Sequence, residues 1–108
     1  MNAVLDKLPA LVDEELENAN VFHTVFHSPH EGYAVLLEEV EEAKDNLLNV
    51  GLLLNQMWKG VKADDEECCR EMASLIEKQA VMMAAEAIQV AAMARKFQAI
   101  EDGWTPDK

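Results

Sequence analysis

The stretch "VMMAAEAIQVAAMA" (Val81–Ala94) indicates how this chain folds, because twelve of its fourteen residues are apolar and none is Gly or Pro. With its flanks it forms a seam whose spacing alternates between four and three residues, as in packed helices. The seam comprises Met72, Ile76, Gln79, Met83, Glu86, Val90, Met93 and Phe97. We predict a helix from near Asp64 to about Asp102, with Asp64 and Glu67 as N-cap and capping-box partner and Gly103 as C-cap.

A second long helix is predicted upstream, with Ser28 as N-cap, Pro29 as first helical residue and Glu31 as capping-box partner. Gly51 is expected to bend this helix and Gly60 to end it. Its predicted apolar stripe is Leu36, Val40, Ala43, Leu47, Val50, Leu54, Met57 and Val61.

A shorter helix is predicted from Leu8 to Asn20, with Pro9 in its first turn. The segment that follows it, "VFHTVFHSPHEG", is expected to be a loop that packs its Val and Phe residues against the core.

These patterns predict one all-α domain over residues 1–108, an antiparallel helical bundle with two long helices. Three prolines and four glycines in 108 residues leave a helix-forming mixture. The other faces of the third helix are rich in alanine, so one short chain is not expected to cover them. We therefore expect oligomerisation to complete the bundle, as a homodimer or homotetramer.

The formal net charge of −12 argues against direct nucleic-acid binding, because such a surface repels phosphate backbones. The N-terminus does not resemble a signal peptide, and no apolar run reaches the roughly 20 residues that span a bilayer. A cytoplasmic protein without membrane contact is expected. Cys68 and Cys69 are adjacent and show no zinc-binding spacing, which predicts reduced thiols.

Acidic residues are concentrated in "LLEEVEEAKD" (Leu36–Asp45). Helical periodicity places Glu42 one turn from Glu38 and within reach of Glu39, whereas Glu41 points away. A solvated acidic helix face explains this run equally well. Glu86 is more informative, because an unpaired carboxylate on a packing seam is costly. A divalent cation shared between Glu86 and the acidic run would offset that cost.

The run "EEVEE" resembles the EExxE motif of the MazG-like all-α nucleoside triphosphate pyrophosphohydrolases, small phage and prophage members in particular. The resemblance extends from Ser28 to Phe97. It implies a magnesium-dependent (or Mn²⁺-dependent) enzyme that cleaves a nucleoside triphosphate between its α- and β-phosphates, giving a monophosphate and pyrophosphate. The implied metal ligands are Glu38, Glu39, Glu42, Glu86 and Gln89.

Glu39 and Glu42 are the candidates for the catalytic base. Gln89 departs from the family pattern, which has Asp at this position of a second motif, ExxD. The alternative hypothesis is therefore an inactive MazG-like helical assembly or interaction protein. His23, His27 and His30 are interpreted either as a zinc site or as loop anchors.

Overall fold

The computed structural model describes residues 2–101, and this part of the chain is all-α, as predicted. Helix α1 covers Asn2–Ala19, α2 covers Pro29–Lys62 and α3 covers Glu66–Gln98. The chain divides into two compact units. Within the described residues, no helix combines the length and apolar character needed to cross a membrane.

The first unit contains α1, α2 up to Val40 and α3 from Glu86 onward. Its core consists of Val12, Phe26, Ala92, Met93 and Ile100. The loop before α2 therefore supplies Phe26 to the core, as predicted. The same prediction is wrong for Val21, Phe22 and Val25, which are exposed, Phe22 to 90% of its surface.

The second unit is a helical hairpin, Glu41–Ala85, formed by the end of α2 and the start of α3. The Asp65 amide donates to the Gly60 carbonyl at 2.9 Å, and the Asp64 amide donates to the Val61 carbonyl at 3.2 Å. Asp64 itself has a left-handed φ of 54°. This is a Schellman ending, which normally favours glycine at the left-handed position.

The N-cap of α3 is Asp65, whose Oδ1 accepts a hydrogen bond from the Cys68 amide at 3.0 Å. The prediction of Asp64 as the cap is wrong by one residue, because Asp64 is already used to end α2. Gly60 does not end α2, which continues to Lys62, and Gly51 does not interrupt it. A Cβ at Gly60 would lie 3.1 Å from the sulfur atoms of both Cys68 and Cys69, so glycine permits the close approach of the two helices.

The two long helices differ in how well their seams were predicted. On α3 every predicted seam position is buried or half-buried. On α2 the prediction is wrong for Leu47, Leu54 and Val61, which are exposed. In the second unit, a different line of α2 residues is buried or half-buried. This inner seam comprises Ala43, Asn46, Val50, Leu53, Met57 and Gly60.

The start of α2 largely follows the prediction. Ser28 Oγ accepts a hydrogen bond from the Glu31 amide at 3.1 Å, which confirms Ser28 as the N-cap. The His27 amide donates a hydrogen bond to the Glu31 carboxylate at 3.3 Å. A capping box would use the amide of the N-cap residue Ser28 instead, so the predicted box is displaced by one residue.

Two predicted helix ends are wrong. Helix α1 begins at Asn2 and not at Leu8, so Pro9 lies inside it. Helix α3 ends at Gln98 and not near Asp102, because the Ile100 amide turns back to the Phe97 carbonyl at 3.2 Å and Ile100 enters the core. The predicted cap Gly103 lies outside the described residues.

Candidate metal centre

Two acidic side chains of the first unit, one from α2 and one from α3, come together. A carboxylate oxygen of Glu39 lies within 4.8 Å of a carboxylate oxygen of Glu86. Both residues are half-buried. Glu39 occupies the edge of the α2 face that packs in this unit, and Glu86 lies on the seam of α3. The sequence prediction that Glu86 faces the acidic run is therefore confirmed for Glu39.

Gln89 lies between the two carboxylates. With the amide oriented to satisfy its neighbours, the Gln89 side-chain nitrogen donates to Glu39 Oε2 at 2.7 Å and to Glu86 Oε2 at 3.3 Å. Gln89 follows Glu86 by three residues, so both side chains project from the same face of α3. The amide thus bridges carboxylates from two helices, whereas the sequence predicted Gln89 only as an oxygen ligand of a metal ion.

The electrostatics of this arrangement favour a positive partner. Two unit charges about 5 Å apart repel by roughly 1 kcal/mol in bulk water and by roughly 3 kcal/mol at the effective dielectric of a protein surface. The two hydrogen bonds from Gln89 offset part of that repulsion, but the amide carries no net charge. Carboxylate oxygens are hard ligands of the kind that Mg²⁺ and Mn²⁺ prefer, so Glu39 and Glu86 fit such an ion. Gln89 would join them as a ligand only by turning its amide oxygen toward the pair.

The other predicted ligands have different positions. Glu38 is exposed and does not join the converging carboxylates of the first unit. Glu42 is also exposed and belongs to the second unit. Because α2 runs without interruption through both residues, helical periodicity places Glu42 one turn beyond Glu39.

The basic residues near the end of α3 have protein partners. Arg95 forms an ion pair with Asp13 of α1, so it does not neutralise Glu86. Lys96 is only 8% exposed, and its Nζ lies 4.9 Å from the centre of the Phe26 ring. Both side chains therefore tie α3 to neighbouring parts of the first unit.

The histidines do not form a zinc site of three or more ligands within residues 2–101. The rings of His23 and His27 meet edge to face with their centres 5.3 Å apart, and all three histidines are exposed. Two aromatic side chains of α2, Tyr33 and Trp58, are also exposed and could stack on a nucleotide base. Trp104 lies outside the described residues.

Comparison with known proteins adds no relative: no family model, curated protein or solved structure matches this chain significantly.

Proposed function

We propose that this protein is a Mg²⁺-dependent nucleoside triphosphate pyrophosphohydrolase of the MazG-like type. The observation that carries the proposal is the approach of Glu39 and Glu86 to within 4.8 Å, since the two residues lie on different helices and far apart in the chain. Their meeting requires the tertiary fold, whereas a merely solvated acidic face requires only one helix. The resemblance of "EEVEE" to the family motif gives the pair its proposed chemistry.

The charge of the protein dictates how a substrate can bind. A triphosphate is strongly anionic, and the chain carries a formal charge of −12. Direct contact between phosphates and Glu39 or Glu86 is repulsive, so a cation has to lie between them. A bound Mg²⁺ would supply that neutralisation and lower the pKa of a coordinated water.

In the proposed reaction the oxygen of a water molecule attacks phosphorus and the bridging bond between the α- and β-phosphates breaks. Pyrophosphate and the nucleoside monophosphate are the products. The attacking water loses a proton, and a nearby carboxylate accepts it. By the resemblance of "EEVEE" to the family motif, Glu39 and Glu42 are the candidates for this base.

The test is a panel of ribo- and deoxyribonucleoside triphosphates incubated with Mg²⁺, with Mn²⁺ or with chelator. We expect a nucleoside monophosphate and pyrophosphate in equal amounts, only when metal is present. Glu39→Gln and Glu86→Gln should each lower the rate at least a hundredfold. Glu41→Gln is the matched control, since Glu41 is exposed and predicted to point away from the site.

A second candidate function rests on Gln89. Because its amide already bridges the two carboxylates, the chain also fits an inactive relative that retains the fold as an assembly or interaction protein. This candidate predicts no hydrolysis of any nucleotide and no effect of Mg²⁺ on thermal stability.

A further inference from the structure

The second unit leaves a regular apolar stripe of α2 uncovered. Beside the inner seam runs an outer seam of Leu47, Gly51, Leu54, Trp58 and Val61, whose spacing again alternates between four and three residues. All five residues are exposed. This spacing is the one by which two helices interlock side chains along their length.

Gly51 is an independent observation that favours a partner helix packed on the outer seam. Glycine inside a helix costs about 1 kcal/mol relative to alanine. A Cβ at Gly51 would meet nothing of residues 2–101 within 4 Å, so no packing in this part of the chain calls for glycine. A small residue in the middle of an apolar seam is what allows a second helix backbone to come close.

The charge pattern identifies the partner. Residues 46–63 contain no acidic residue, although the whole chain has 21. Two copies of this segment can meet without bringing carboxylates together. Its C-terminal end carries Lys59 and Lys62, whereas the acidic residues Glu41, Glu42 and Asp45 precede it. These acidic residues lie on the side of α2 away from the outer seam. An antiparallel pair keeps Lys59 and Lys62 of the two copies at opposite ends, whereas a parallel pair would place the like charges side by side.

We infer that the outer seam is a self-association surface, on which two copies of this chain pair their α2 helices antiparallel about a two-fold axis near Leu54. The symmetry makes the interface isologous, with Leu47 of one protomer near Val61 of its partner. This inference is independent of the proposed enzymatic activity. It places the oligomer contact on α2, whereas the alanine-rich faces of α3 predicted a contact through α3.

The size of the interface sets the expected affinity. The outer seam runs over 15 residues, from Leu47 to Val61, or about 21 Å of helix. A helix pair in contact over so short a length buries less than the roughly 1,200 Å² at which stable, specific interfaces begin. We therefore expect a dimer that dissociates in the micromolar range.

Sedimentation equilibrium of the full chain from about 1 to 200 µM tests this inference. The wild type should approach twice the chain mass of 12.1 kDa as concentration rises. Leu54→Glu should raise the dissociation constant at least a hundredfold. Gly51→Leu should do the same while circular dichroism shows unchanged helix content, which separates a blocked contact from an unfolded chain.

Leu52→Glu is the matched control. Leu52 is 65% exposed and Leu54 is 56% exposed, but the two side chains lie on nearly opposite sides of α2. We expect Leu52→Glu to change the dissociation constant by less than about threefold. A monomeric wild type at 200 µM overturns the inference, and so do equal effects of Leu52→Glu and Leu54→Glu.

The antiparallel direction has its own test in a background with Cys68→Ser and Cys69→Ser. Under mild oxidation, chains with Leu47→Cys should cross-link to chains with Val61→Cys. Efficient cross-linking of Leu47→Cys chains to one another, without the mixed product, would instead show parallel pairing and contradict the proposed geometry.

Discussion

Glu39 on α2 and Glu86 on α3 bring carboxylate oxygens within 4.8 Å of each other, although 46 residues separate the two in the chain. With its amide oriented to satisfy both neighbours, Gln89 donates one hydrogen bond to each of them. The Gln89 amide therefore partly substitutes for a cation, because it bridges the two carboxylates with hydrogen-bond donors. Whether an ion strengthens or displaces this arrangement determines which of the two proposed functions is correct.

Replacing Gln89 with Asp should make the site more dependent on metal. In chelator, the change removes two hydrogen bonds to charged acceptors and adds a third negative charge, so we expect the free energy of unfolding to fall by about 1–3 kcal/mol. With millimolar Mg²⁺, Gln89→Asp should recover most of that loss and bind the ion more tightly than wild type. Isothermal titration with Mg²⁺ and melts in chelator measure both effects. Tighter binding should be absent in Gln89→Leu, which removes the hydrogen bonds without adding a charge.

Two glycines of α2 should respond to alanine in opposite ways. A Cβ at Gly32 would lie 2.6 Å from Phe97 Cδ2 and 3.0 Å from Phe26 Cδ2, and we expect Gly32→Ala to destabilise the fold by about 1–3 kcal/mol. Among the described residues, a Cβ at Gly51 meets no atom within 4 Å, and Gly51→Ala should stabilise the dilute monomer by up to about 1 kcal/mol. Urea denaturation of both variants is the measurement. A stabilised Gly32→Ala protein would show that Phe97 moves aside easily.

The turn between α2 and α3 separates the roles of two adjacent aspartates. Asp65→Ala removes the N-cap of α3 and should cost about 1 kcal/mol. Asp64→Gly relieves a left-handed conformation and should stabilise by up to about 1 kcal/mol. Chemical denaturation of the two variants distinguishes this structure from the simpler pattern in which Asp64 is the cap. In that pattern Asp64→Gly lowers stability and Asp65→Ala has almost no effect.

The thiol of Cys68 should be a weak nucleophile at neutral pH. Burial, followed by the nearby carboxylate of Asp65, raises the pKa of Cys68 above its ordinary value. Since the thiolate is the reactive form, a raised pKa means less thiolate at any given pH below it. In a Cys69→Ser protein, the rate of alkylation by iodoacetamide should therefore rise with a midpoint above that of an unfolded control. A midpoint at or below that of the unfolded chain contradicts the assignment.

How far the sequence predicted the fold depended on which helix was considered. On α3 the seam was correct along its whole length, because Met72, Met83 and Val90 share a face with no competing apolar stripe of large residues. On α2 two seams with the same period lie side by side. The choice of Asn46 and Leu53 over Leu47 and Leu54 depends on the packing of α3 in the second unit, which hydrophobicity alone does not determine.

The candidate site was predicted in part for a similar reason. Helical periodicity was enough to place Glu86 on the seam and Glu39 near the core edge. It did not reveal that Gln89 presents its amide nitrogen to both carboxylates, because the orientation of an amide depends on neighbours from another helix. The three-residue interval between Glu86 and Gln89 was a usable signal, since residues so spaced share a helix face.

Glu86 is the ligand on which the proposed metal centre depends, and Glu86→Gln tests that role most directly. The substitution removes a negative charge that Glu39 repels, so in chelator the variant should be at least as stable as wild type. Wild type should gain RT ln(1 + [Mg²⁺]/Kd) from the ion, about 2.7 kcal/mol at a hundredfold excess over Kd. Glu86→Gln should lose most of this gain, while Glu41→Gln should retain it.

The decisive measurement is therefore a set of thermal melts of wild type, Glu86→Gln and Glu41→Gln, each in chelator and in millimolar Mg²⁺. We predict a metal-dependent rise in melting temperature for wild type and Glu41→Gln, and almost none for Glu86→Gln. A Glu86→Gln protein that is destabilised in chelator, yet gains as much from Mg²⁺ as wild type does, would contradict the assignment of Glu86 as a metal ligand.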